Sequence, residues 1–338
     1  MMKSKLTILF WLIINLIFVS SCANARIKPG WVESEADKYP NNLYVTATGA
    51  ASDYEMAKDR ALANLSKIFE AHINETSSTK SDTFVSLHNL KESVTQKRHL
   101  SQLVRVSTDK IIQGAQVVER WKDDDQKSYY ALAVLDRKQA RTNVMDEISR
   151  LDDETIALLD DAKKTNDALS SISSLDKAIT IQQRRLSLHN MLKVINLHGR
   201  GFPSEWTLHE LQDQLANKLS LLKINTHVEG DSKTEVEKLL LASMANLGFP
   251  AANDSFYTFS VLLDVNDLGL KQGWYWKKGK LTVQLLESNG KIRAQSEWLL
   301  KVSALHKEDT QSRLLTQVSN RLNSKLKSLI VSSVDINN

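Results

Sequence analysis

Residues 43–69 read LYVTATGAASDYEMAKDRALANLSKIF, and the change of rhythm inside this stretch decides the fold class. Leu43 to Thr48 is rich in β-formers and stops at Gly49, which predicts a strand. Ser52-Asp53-Tyr54-Glu55 is spaced as a capping box, with Ser52 and Glu55 positioned to satisfy orphan amides at a helix start. Ala57, Ala61, Leu65 and Phe69 then recur at helical spacing. A strand feeding directly into an amphipathic helix opens an α/β unit.

Downstream, Ala71 to Ser86 is rich in Thr and Ser and predicts an exposed strand or ribbon, and Leu87, Leu90, Val94, Leu100 and Leu103 predict a further helix. Ile111–Trp121 and Tyr129–Leu135 are β-rich runs joined by the polar stretch 122–127, a hairpin. The first unit is thus 43–136. From 137 to 200 two apolar stripes, Val144 to Ala162 and Ala178 to Ile195, predict a helical hairpin with Ser170, Ser171, Ser173 and Ser174 between the helices. After Gly199 to Pro203 a second α/β unit, 204–331, follows. It starts with a capping box at Thr207–Glu210 opening a short helix, a strand at Leu221–Val228, and a capping box at Ser232–Glu235 opening another helix. A strand at Phe256–Val265, a hairpin of Leu281–Glu287 with Arg293–Val302, and a final helix through Leu315 to Leu329 complete it. The fold class is therefore α+β or α/β: two small strand–helix–strands domains linked by a helical hairpin.

Upstream, Met1 to Cys22 has Lys3 and Lys5, an apolar run from Leu6 to Val19, and then Ser20-Ser21 before the one cysteine of the chain. This is a secretory signal over 1–21, and its apolar run is shorter than the ~20 residues a spanning helix needs. Val19-Ser20-Ser21-Cys22 resembles the bacterial lipobox. That resemblance implies a diacylglyceryl group on the Cys22 thiol, cleavage before it, and acylation of the new amino group, with palmitate-class chains as the membrane anchor. Residues 22–42 would be the lipidated tether. Two or three chains are needed, because one holds only marginally. Ala23 stands where an inner-membrane retention signal usually has Asp, so outer-membrane delivery is expected, with the periplasmic or outer face left open. Small residues around Ala23 and Ala25 also fit ordinary signal peptidase, which would release a soluble periplasmic protein.

Composition agrees with an exported globular chain: 338 residues, 42% hydrophobic, 25% charged, with 11 Gly and 4 Pro arguing against disorder. The net charge of +4 falls to +2 without Lys3 and Lys5, too small a field to draw in nucleic acid. With one thiol, no disulfide, Cys-ligated metal or second reactive cysteine is available inside the chain.

Pro29-Gly30-Trp31-Val32, Tyr44 to Ser52, Ala57 to Leu65 and Tyr129 to Arg137 together resemble the LPP-twenty (twenty-kilodalton lipoprotein) family over roughly 28–140. The resemblance implies an envelope lipoprotein with an accessory or assembly role and brings no active-site residues with it.

A search for chemistry returns little. The 8 histidines lack the close pairing of a zinc site, so neither metal nor cofactor is expected. Asp123-Asp124-Asp125 lacks the alternating ligands, central Gly and terminal Glu of a calcium loop and reads as a solvated turn. No Gly-x-Ser-x-Gly or phosphate-cradling loop occurs. The most suggestive patch is Trp274, Tyr275, Trp276, Lys277 and Lys278. These aromatics among cations could stack on sugars, sit at a membrane interface or grip a protein partner; alternatively, Trp274 and Trp276 are the core face of a strand. The expectation is a non-enzymatic, lipid-anchored outer-membrane accessory protein that binds an envelope protein through this patch. An activator of a periplasmic enzyme such as a cell-wall synthase, and a hydrolase of wall sugars, remain as alternatives.

Overall fold

A computed structural model describes residues 28–33, 36–81, 114–252 and 255–332. Six helices and two antiparallel-rich sheets occur among them, and the chain divides into two compact units, 1–71 with 109–140 and 72–108 with 141–338. The leader, Cys22 and the helix expected over 87–103 lie outside the described residues.

In the first unit β1 (Tyr44–Ala51), β2 (Gln116–Asp123) and β3 (Ser128–Asp136) form an antiparallel sheet in the order β1-β3-β2. Helix α1 (Tyr54–Ser81) follows β1. Its Ala57, Ala61, Leu65 and Phe69 are fully buried, as the spacing predicted; burying a Leu or Phe contributes about 1.5–3 kcal/mol. The cap is one residue later than expected: Asp53, not Ser52, accepts from the Met56 amide at 2.9 Å. A second correction concerns 71–81, which continue α1 rather than forming a ribbon. A growing helix gains its own hydrogen bond for each residue added, whereas a strand needs a neighbour to supply one.

Five consecutive β3 residues, Ala131 to Leu135, are buried, so both faces of this sheet are covered. One face lies under α1. On the other, Trp31, Ala36, Tyr39 and Tyr44 pack with Leu132 and Val134, so that from residue 28 the segment expected to be tether is part of the folded unit.

The second unit contains α2 (Arg137–Lys164) from residue 141 on and α3 (Ala168–Ile195), which run antiparallel: Glu147 bonds Arg184, Asp152 bonds Arg185, and Ser171 Oγ donates to the Ala162 carbonyl. The break falls at 165–167, not at the serines. Asp167 caps α3 by accepting from the Ser170 amide, and the serines occupy its first turns, where Ser173 Oγ donates to the Val331 carbonyl at 2.8 Å. Helix α4 (Leu208–Leu221) carries the predicted capping box between Thr207 and Glu210.

Beyond it, β4 (Ile224–Gly230), β5 (Tyr257–Lys271), β6 (Trp274–Glu287) and β7 (Ile292–Ala304) form a sheet in sequence order. β4 and β5 are parallel, joined through α5 (Lys233–Asn246), and the rest is antiparallel. Ser232 does not cap α5 as predicted. It sits in the left-handed region at φ 55°, and its hydroxyl accepts instead from Gln311 Nε2 at 2.6 Å. Helix α6 (Lys307–Ser332) buries Leu314, Val318, Leu322, Leu326 and Leu329 in a core shared with Phe259, Val261, Leu281, Val283, Leu300, Ile172 and Leu175.

Both units treat one edge strand alike. In the first, Arg60 and Asn64 of α1 donate to the Ala50 and Thr48 carbonyls of β1 at 2.5 and 2.9 Å. In the second, Arg313 and Gln317 of α6 donate to the Ser303 and Lys301 carbonyls of β7 at 2.6 and 3.2 Å. The spacing is the same: two side chains one helical turn apart reach two carbonyls two residues apart on an exposed edge.

Candidate functional site

Period-two alternation settles where the aromatic patch lies. On β6, Gly279, Leu281, Val283 and Leu285 are buried against the helices, so even-numbered residues face away from them. Trp274, Trp276 and Lys278 therefore lie on the solvent face, and the reading of Trp274 and Trp276 as a core face is corrected. Trp274 is 39% exposed, and Trp276 is half-buried beneath Lys301, whose ammonium lies 4.8 Å from the ring centroid. Tyr275 and Lys277 point to the other side, with Lys277 Nζ donating to Gln311 Oε1 at 2.6 Å. The five residues expected to act as one patch are thus split between two faces. The turn joining β5 to β6 is Gln272-Gly273, both at positive φ (52° and 80°), the two-residue geometry that follows the twist of the strands.

The open face continues onto the neighbours of β6. Leu299 of β7 is 72% exposed and Leu262 of β5 is 40% exposed. In register, Lys278 stands directly opposite Lys301 and Lys280 opposite Leu299. Along the free side of β7, Leu299, Lys301, Gln317, Asn320, Arg321 and Ser324 line a groove of about 490 Å³.

Charged groups taken out of water elsewhere are tied into the framework. Arg185 is bidentate to Asp152 (2.7 and 3.1 Å) and also donates to the Phe202 and Pro203 carbonyls, fixing the loop after α3. Arg293 donates to Glu287 at 2.8 Å and to Asp167 at 2.7 Å, while the Tyr257 hydroxyl donates to Asp167 at 2.8 Å. Sequence reading missed both clusters, although the Asp167 cap, one residue after Asn166 and three before Ser170, was detectable as a helix start.

Burial alone would push the Asp167 carboxyl up, but hydrogen bonds from Ser170, Arg293 and Tyr257 bring it down to about 2 from 3.8. Burial, followed by the bond to Asp167, pushes the Tyr257 hydroxyl up. A carboxyl lowered on folding stabilises the native state above its ordinary value, and this contribution is lost as pH falls through the folded value. Asp167 should therefore contribute about 2 kcal/mol at neutral pH, lost between 3.8 and about 2. Urea midpoints followed downward in pH should fall more steeply for wild type than for Asp167→Asn. Equal slopes would remove Asp167 from the account.

Asp123, in the acidic turn, accepts from the Asp125 and Gln126 amides through its Oδ1, each at 3.0 Å, the geometry of a side-chain-closed turn. No group of three or more His, Cys, Asp or Glu among the described residues could hold a metal ion. No described helix is long and apolar enough to cross a membrane.

No curated protein matches the sequence. Among solved structures, the secreted protein HP1454 from the human pathogen Helicobacter pylori aligns over 84% of this chain and 98% of its own, at 13% identity and a TM-score of 0.44. A minor lipoprotein from Acinetobacter baumannii aligns over 31% of this chain and 90% of its own, at 11% identity and a TM-score of 0.27. Residues 29–136 of the first unit, running from the Pro29-Gly30 turn to the end of β3, match the model of the LPP20 lipoprotein family.

Proposed function

We propose that this is a lipid-anchored envelope protein, attached through acyl chains on Cys22, that works at the outer membrane as an accessory or assembly factor by binding a protein partner. The observation that carries the reading is positional. A lipoprotein-family segment starts at residue 29, just downstream of Val19-Ser20-Ser21-Cys22. An acylated Cys22 would hold the first unit at a bilayer surface, where restricted diffusion raises the effective concentration of any partner on the same membrane. Binding rather than catalysis is supported by the buried charges: Arg185 and Arg293 and their carboxylates are engaged with one another and with backbone carbonyls.

Metabolic labelling with a palmitate analogue tests the anchor. Wild type should take up label and fractionate with outer membrane, and Cys22→Ala should lose at least nine-tenths of the signal, since acylation needs the thiol (about a tenfold change or more). Equal label in the two proteins would remove the anchor.

A further inference from the structure

We propose that the solvent face of the second sheet, together with the groove along β7, docks on the phosphate headgroups of an anionic phospholipid bilayer. The first observation is a charge arrangement without an internal reason. Lys278 and Lys301 are direct cross-strand partners, and like charges placed so are unfavourable. Neither forms an ion pair among the described residues; Lys301 lies over Trp276 instead. Three carboxylates are exposed on this face: Glu297, paired with Lys280 at 3.5 Å, Asp264, directly opposite Lys280, and Glu229, opposite Leu262; none stands opposite Lys278 or Lys301. An anion from outside would relieve the repulsion.

The groove supplies the second observation. Its lining contains two cations, Lys301 and Arg321, the Gln317 and Asn320 amides, the Ser324 hydroxyl and the Leu299 side chain, and no carboxylate. Leu299 in its lining, and Trp274 and Leu262 elsewhere on the same sheet face, are exposed, so apolar and aromatic groups share the face with the cations.

A bilayer fits this composition better than a protein surface does. Lysine is depleted from the cores of protein interfaces, where its ammonium would lose water and its stem its rotamer freedom. At a headgroup layer the ammonium stays hydrated and meets phosphates, the stem lies along apolar groups, and Trp prefers the same depth. The inference rests on the proposed envelope location only for the presence of a bilayer, because the docking uses no acyl chain.

The test uses the whole chain from Cys22 onward carrying Cys22→Ala, sedimented with phosphatidylcholine vesicles with or without phosphatidylglycerol. Binding should require phosphatidylglycerol and weaken with salt. Lys278→Gln with Lys301→Gln should lower the partition coefficient by roughly 25-fold, about fivefold per cation, with the melting temperature unchanged because both side chains are exposed. Lys278→Arg with Lys301→Arg should retain binding. Lack of binding to phosphatidylglycerol vesicles, equal binding by the Gln variant, or capture of a protein through these lysines without vesicle binding would each overturn the proposal. Equal fatty-acid label in wild type and Cys22→Ala, with vesicle binding intact, would sink the anchor and leave the docking face standing.

Discussion

Gly49→Ala should destabilise the first unit by about 3 kcal/mol or more, at the upper end of what overpacking costs. A Cβ on Gly49 would sit 2.2 Å from the Ala61 amide nitrogen and 2.3 Å from the Ala57 carbonyl oxygen. Both are backbone atoms in the first turns of α1, so no rotamer change can make room. The helix would have to lift away from β1, and Leu65 and Phe69, fully buried beneath it, would lose packing along with it. Hydrogen exchange read at β1 and β3 amides should accelerate by at least a hundredfold in Gly49→Ala, about the factor that 3 kcal/mol represents, while amides of the second sheet keep their wild-type rates. Ala50→Ser, on the exposed side of the same strand, is the control and should change little. Unchanged protection of β1 in Gly49→Ala would contradict the close approach of helix and strand.

The largest effect in the second unit is expected at Arg293. Its side chain is 10% exposed, and its guanidinium bridges Asp167, at the start of α3, to Glu287, at the end of β6. Arg293→Ala leaves two carboxylates close together with their common cation gone, and removing one partner of a buried ionic cluster costs about 3–5 kcal/mol. The Tyr257 hydroxyl remains as a donor to Asp167 but carries no charge. The urea midpoint of the second unit should fall accordingly. Arg293→Met combined with Asp167→Asn and Glu287→Gln should recover most of the loss, because the repulsion goes with the charges. A loss under about 1 kcal/mol for Arg293→Ala, the range of an exposed pair, would show that the cluster is solvated and that the framework does not depend on it.

Local pattern carried the reading of sequence furthest where a segment's own residues decide its structure. The β2–β3 hairpin, the buried stripe of α1 and the Thr207–Glu210 box are of this kind, since alternation, helical spacing and cap chemistry are all short-range. The helix–hairpin layout of the second unit followed from the same rules. The misplaced elements depended on competition or on distant partners. Residues 71–81 are helix because no strand among the described residues is paired with them while α1 could simply extend. Ser232 lost its capping role to a contact with Gln311, 79 residues away. Arg293 and Asp167 are 126 residues apart, and nothing in either neighbourhood announces the other.

The orientation of Trp274 and Trp276 was within reach. Leu281, Val283 and Leu285 mark the inner face of β6, and its pairing with β7 runs without a register shift from Tyr275 to Leu285. Counting back by twos gives Gly279, Lys277 and Tyr275 as the inner set and leaves both tryptophans outside. Composition drew attention to the aromatics; periodicity assigned their direction. Cys22 was identified by its sequence context, and its chemistry is tested by labelling.

The arginine–amide pairs on β1 and β7 bear on crowding. Chains held on a two-dimensional surface meet far more often than chains in solution, and a sheet whose border carbonyls stand open is a template on which the next copy can add a strand, then another. Here the borders at Thr48, Ala50, Lys301 and Ser303 are already occupied by the molecule's own side chains. Stripping Arg60 and Arg313 together would open carbonyls on the β1 and β7 margins, the kind of exposure on which another strand can add.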